Sequence, residues 1–168
     1  MRHPSPHVRA AQGEIARRVA AGASGAPDGA GSILRTVYDV GGNFEIEIER
    51  GVAICRIWTR PDVDRMEGAR FALQNVEAFK RLAEEPASVV RAVVLDLTRA
   101  PAMWGSIIQS CLERMVAILE SAQQAIAVLS QDAMQSEQMQ RILRAHAPLH
   151  GRLFASFGEA WAWAHARR

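Results

Sequence analysis

The chain has 168 residues, 49% of them hydrophobic and 23% charged, which is enough for one full-sized core and too little for two ordinary domains. Its acids and bases nearly cancel to a formal charge of +2, so there is no broad cationic field to hold nucleic acid or an anionic membrane. The basic residues are almost all arginine, Lys80 being the single lysine, a bias that carries no functional weight.

Residues 1–36 are rich in Ala, Gly, Pro and Arg, and the run Ala21 to Gly31 has too little apolar bulk to offset its ordering entropy. This segment is expected to be a flexible Arg-rich arm. Val8 to Val19 could form a short helix within it, but Val8, Ile15 and Val19 are its only sizeable apolar residues. The domain is then expected over residues 37–168. Phe44 to Glu49 alternates strictly, placing Phe44, Ile46 and Ile48 on one face and three glutamates on a wet one. After Arg50-Gly51, where glycine can take a positive φ, Val52 to Trp58 reads as a second strand, antiparallel to the first.

Asp64 with Glu67 three residues later resembles a capping box, and Phe71, Val76, Phe79 and Leu82 give Arg65 to Glu85 an apolar side that Pro86 ends. Val89 to Leu97 is an apolar run containing Arg91 and Asp96. A helix from about Gly105 to Ala122 follows, with Ile108, Leu112, Met115 and Leu119 facing inward. Ala125 to Leu129 fits a buried strand, and Asp132 caps a helix from Ala133 to about His146, ended by Pro148 and Gly151. The Gln131 to Gln140 stretch reads as an exposed helix face. Arg152 to Ala155 is a last short strand, and Ser156 with Glu159 opens a final helix in which Trp161 and Trp163 cannot share a face, one being core and the other exposed. The order ββαβαβαβα predicts an α/β fold with a mixed sheet, an N-terminal hairpin and parallel strands joined by helices. Functional loops then follow the carboxyl ends of the strands.

This element order, with Ala92-Val-Val-Leu-Asp-Leu-Thr98 leading through a loop to Gly105-Ser106, resembles the STAS family, the sulfate transporter and anti-sigma factor antagonist domain, from about Phe44 to Arg168. The resemblance implies a non-enzymatic regulatory or scaffolding module in bacterial signalling that acts through protein contacts. In switch members of that family a kinase modifies a hydroxyl within Asp-Ser-Ser-Gly or Asp-Ser-Thr-Gly. Ungapped comparison from Leu95-Asp96-Leu97 places Ser106 at that position, within Trp104-Gly105-Ser106-Ile107. Ser106 is thus a candidate phosphorylation site at a helix start, where a phosphate is stabilised and a partner interface is disrupted; its alternative role is a helix cap.

Met103, Trp104, Gly105 and Ser106 form the candidate partner-binding edge, a large indole beside a flexible thioether. Asp96, Thr98 and Asp132 are the polar residues expected near it, Asp96 as an acceptor for loop backbone. Cys55 and Cys111 lie far apart in sequence, neither belongs to a metal-type cysteine pair, and they read as buried free thiols. No nucleotide, zinc or hydrolase motif occurs, so no cofactor, metal or catalytic residue is expected. The absence of a membrane span or a secretory h-region points to a cytosolic protein without membrane insertion. Self-association through an edge strand or the C-terminal helix is a further expectation. The alternative function is a small-molecule or lipid carrier using a pocket beneath the helices, which would be favoured by an enclosed apolar cavity above the sheet of at least roughly a few hundred Å³.

Overall fold

The computed structural model of the protein describes residues 35–102 and 104–167. The expected arm, apart from its last two residues, and Met103 lie outside the described residues. The elements are β1 (Thr36–Val40), β2 (Phe44–Glu49), β3 (Val52–Trp58), α1 (Arg65–Glu84), β4 (Ala92–Arg99), α2 (Ser106–Ser121), β5 (Ala125–Leu129), α3 (Ala133–His146), β6 (Gly151–Phe154) and α4 (Phe157–His165). The α/β class and the alternation after the hairpin are those expected from sequence. One strand is additional: Thr36–Val40 pairs antiparallel with β2 and forms the sheet edge.

The local chemistry explains these bounds. Arg50 and Gly51 both have positive φ, 51° and 78°, which matches the twist of a two-residue hairpin turn and sets Glu49 opposite Val52. Asp64 caps α1 by accepting from Glu67 N at 2.8 Å. The helix stops before Glu85, whose extended backbone (ψ 138°) is what a residue preceding proline prefers. Asp132 caps α3 through Gln135 N at 2.9 Å, and Ser156 caps α4 through Glu159 N at 3.3 Å. At the β1–β2 turn, a Cβ on Gly41 or Gly42 would fall inside the rings of Phe44 and Phe71, so this pair is fixed by close approach.

The sheet order is β1-β2-β3-β4-β5-β6, with the last four strands parallel. Because the strand order never reverses, right-handed crossovers place α1, α2 and α3 on one face. That face is the main core, built on Phe79, Leu95, Leu119, Ile126 and Met139. The other face is covered over β4, β5 and β6 by α4, through a smaller cluster of Val52, Val94, Ala127, Ala160 and Ala164.

Two expectations change here. The glutamate face of β2 is not wet. Glu49 is 4% exposed and is held by Arg35 Nε at 2.6 Å, while Glu47 is held by Arg56 Nη1 at 2.6 Å; a carboxylate leaves water at acceptable cost only when paired in this way. Nor do Trp161 and Trp163 divide into core and surface. Both are half-buried and flank the Ala160/Ala164 line, Trp161 stacked between Phe157 and His165, and Trp163 against Phe154.

Candidate functional site

A sheet of this kind binds ligands in the crevice where strand order reverses, and this sheet has no such point. The space it offers instead lies above the carboxyl ends of β3 and β4. There Thr59 N donates to Arg99 O at 2.9 Å, and the chain then diverges into α1 and α2. The face of α1 towards this space carries Gly68, Ala72 and Asn75; α2 contributes Ile108, Cys111, Leu112 and Met115. Small residues on one helix leave the space towards the second helix unfilled at this end, and a mostly apolar cavity of about 210 Å³ remains between them. Ile57 and Leu97 of the sheet, with Trp58, Phe71 and Trp104, complete its wall.

Polar groups sit at the two ends of this cleft. Asn75 is 4% exposed; its Nδ2 donates to Asn43 Oδ1 at 3.4 Å, and its Oδ1 has no partner among the described residues. At the other end Arg65, Gly68 and Ile108 are shared with a groove of about 400 Å³ that also takes in Ala69, Gly105, Ser106 and Ile107. Arg65 is exposed and joins no ion pair among the described residues. Arg60, which also lines the cleft, is engaged: it donates to both oxygens of Asp62 at 2.7 Å and to Gly42 O at 2.7 Å. Its guanidinium holds the Asp62 carboxyl down at about 2. The start of α2 lacks both a capping side chain and an acidic residue in its first turn. Its first intrahelical bond is Gln109 N to Gly105 O at 3.0 Å, so the amides of Ser106, Ile107 and Ile108 have no helical acceptor.

Of the residues expected at the partner edge, Trp104 is half-buried against the main core and walls the cavity. Gly105 and Ser106 are exposed at the rim. Ser106 is not the helix cap, because Gly105 occupies that position. Asp96 and Thr98 lie elsewhere. Asp96 alternates with Leu95 and Leu97, so it points to the opposite face of the sheet, where its Oδ1 accepts from Thr98 N at 3.0 Å and Thr98 Oγ1 at 2.7 Å. Both line a polar groove with Arg56, Gln131 and Phe157. Asp132 is taken up in capping α3.

Gln135, expected on an exposed helix face, is instead buried beneath the loop that borders the cleft. It is 1% exposed, and its Nε2 donates to Leu97 O and Pro101 O, each at 3.1 Å, which fixes the β4–α2 loop from beneath. The signal was its spacing: Gln135, Met139 and Ile142 recur at i, i+4 and i+7 on the inward face of α3.

The titratable groups lining the cleft are Arg60, Asp64, Arg65 and Cys111. Asp64 is occupied as a cap, and burial pushes the Cys111 thiol up, away from its nucleophilic thiolate form. Cys55 is fully enclosed, and burial pushes its thiol up further. No group of three or more His, Cys, Asp or Glu among the described residues could hold a metal ion. No helix among them is long and apolar enough to cross a membrane. Comparison with protein-family models, with curated proteins and with solved structures gives no match to this chain.

Proposed function

We propose that this chain is a non-enzymatic binding module of STAS-like build, whose working site is the cleft between α1 and α2 and whose occupant is a small, largely apolar molecule. The observation that carries this reading is the apolar cavity itself, about 210 Å³ and lined by three aromatic residues, smaller than a lipid carrier's chamber and matched only to a small ligand. Concave, mostly apolar space with a few polar groups is the usual form of a small-molecule site. The test is titration of the full chain with anilinonaphthalene sulfonate, a dye that brightens in apolar pockets, alongside a Gly68→Leu variant that fills the cleft. Saturable one-to-one binding by the native chain and its loss in the variant would support the reading; equal binding by both would refute it.

A second reading, protein contact at the rim, is favoured by Ile107, which is 53% exposed beside exposed Ser106 in the outer groove. The Met103 to Ser106 edge would then recruit a signalling partner, and phosphorylation of Ser106 would weaken the contact by adding charge at an apolar rim. A Ser106→Asp chain that folds normally and retrieves the same partners as the native chain would overturn it.

A further inference from the structure

We infer that the occupant of the cleft is a small aromatic acid, with a flat apolar body, an anionic group at one end and a hydrogen-bond donor at the other. This rests on the ligand reading above and names its chemistry. The body is set by the apolar lining, which includes the rings of Trp58, Phe71 and Trp104; Phe71 and Trp58 already carry arginine guanidinium groups over their rings, which leaves Trp104 as the ring best placed to meet an aromatic ligand. The donor is set by Asn75: its Oδ1 is an acceptor that is buried and unpartnered, and a ligand O–H or N–H would satisfy it.

The anion is set at the mouth. Arg60 and Arg70 are held by Asp62 and Glu67, whereas Arg65 is paired with no acid among the described residues. It shares the outer groove with Ser106 and the start of α2, whose first amides lack acceptors and whose first turn lacks an acid. A guanidinium and a helix N-terminus that share one groove favour a carboxylate over a neutral group. Residue 75 lies ten positions beyond residue 65 on α1, about 15 Å along the helix axis, so the acceptor and the guanidinium mark opposite ends of the space and only an elongated ligand meets both.

The test is calorimetric titration of the full chain with three compounds: indolepropionate, which has both ends; skatole, which lacks the anion; and naphthylpropionate, which lacks the donor. Indolepropionate should bind about tenfold tighter than either and should shift the amide resonances of Gly105 to Ile108, which skatole should leave in place. Arg65→Gln should reduce indolepropionate to the affinity of skatole without changing skatole itself. Equal affinities for indolepropionate and skatole would overturn the inference and leave the ligand reading standing, because skatole would still occupy the cleft. Failure of all three to bind would also overturn it, and the dye titration with Gly68→Leu then decides the ligand reading separately.

Discussion

Gly68 is the most direct probe of the cleft, because its two effects can be separated. It lies inside α1, donates its N–H to Asp64 O at 2.9 Å, and a Cβ built on it meets no heavy atom within 4 Å. Nothing in the packing therefore opposes a side chain, while glycine in a helix costs about 0.5–1 kcal/mol relative to alanine. Gly68→Ala should stabilise by that amount and raise the melting temperature by about 2–4 °C for a domain of this size. Circular dichroism melts at fixed pH give the comparison. Gly158 of α4 is a matched control, since a Cβ there also meets nothing: Gly158→Ala should give a similar rise without touching the cleft. Gly68→Leu should melt no lower than the native chain, because its branch enters open space beside Ile108, and it should abolish dye binding. A fall of several degrees for Gly68→Ala would mean that the space between α1 and α2 is closed in solution, and the reasoning would fail at its first step.

Three other perturbations test the frame that holds the cleft. Gly51→Ala places a Cβ at φ +78° and against the Arg91 guanidinium; it should cost about 1–3 kcal/mol, and an unchanged melting temperature would contradict the turn geometry. Gln135→Leu keeps the volume but strips donors from Leu97 O and Pro101 O, so it should cost about 1–3 kcal/mol and weaken dye binding by loosening the Trp104 loop; full retention of both would show that the loop does not depend on it. Tyr38, the only tyrosine, is pushed up to about 12 by burial and by its hydrogen bond to Glu85. Folding favours the protonated phenol, so its contribution is fully present below pH 10, the ordinary value, and is lost as pH rises through about 12. Tyrosinate absorbance should show the late midpoint, and Glu85→Gln should bring it down; a native midpoint near 10 would refute the contact.

What the sequence discloses follows from where each element obtains its stability. The α3 helix is legible from Ala133 to about His146, because a capping Asp132 and a terminal Pro148 bracket a periodic stretch. The same holds for the five buried residues of β5. The β1 strand was missed for the opposite reason. Thr36 to Val40 is short and follows a glycine-rich run, and much of what fixes it is distant: Tyr38 bonds to Glu85 at 3.0 Å and Asp39 pairs with Arg81, both from the far end of α1. Its β-branched and aromatic composition ahead of Gly41-Gly42 was the available signal. Trp104 is expected at a contact edge from its loop position, and the structure places it on the cavity wall. The cleft behind it was not legible, since a cavity is made by side chains that are absent, Gly68 and Ala72 on one helix facing Ile108 and Leu112 on another about 40 residues away.

Why the space survives at this end of α1 and α2, and not along their whole length, follows from the side chains each turn provides. Towards the amino ends of the β-strands the two helices close on Phe79, Leu82 and Leu119, all fully buried. Gln124 locks that end by donating to Leu82 O and Val90 O at 3.2 Å. Towards the carboxyl edge α1 changes to Ala72 and Gly68, and Gln135 fixes the loop from which Trp104 projects. Two buried glutamines thus tie backbone carbonyls at opposite ends of the same layer, one where the helices meet and one where they part. Collapse of the cleft would require breaking the Gln135 bonds or moving a helix whose other end is locked. The predicted consequence is a cavity that persists without an occupant: hydrogen exchange of the α2 amides from Cys111 to Leu119 should be as slow in the free chain as in the dye-bound chain, with slowing on binding confined to Gly105 through Ile108. Uniform slowing along α2 would instead mean that the cleft forms only when it is filled.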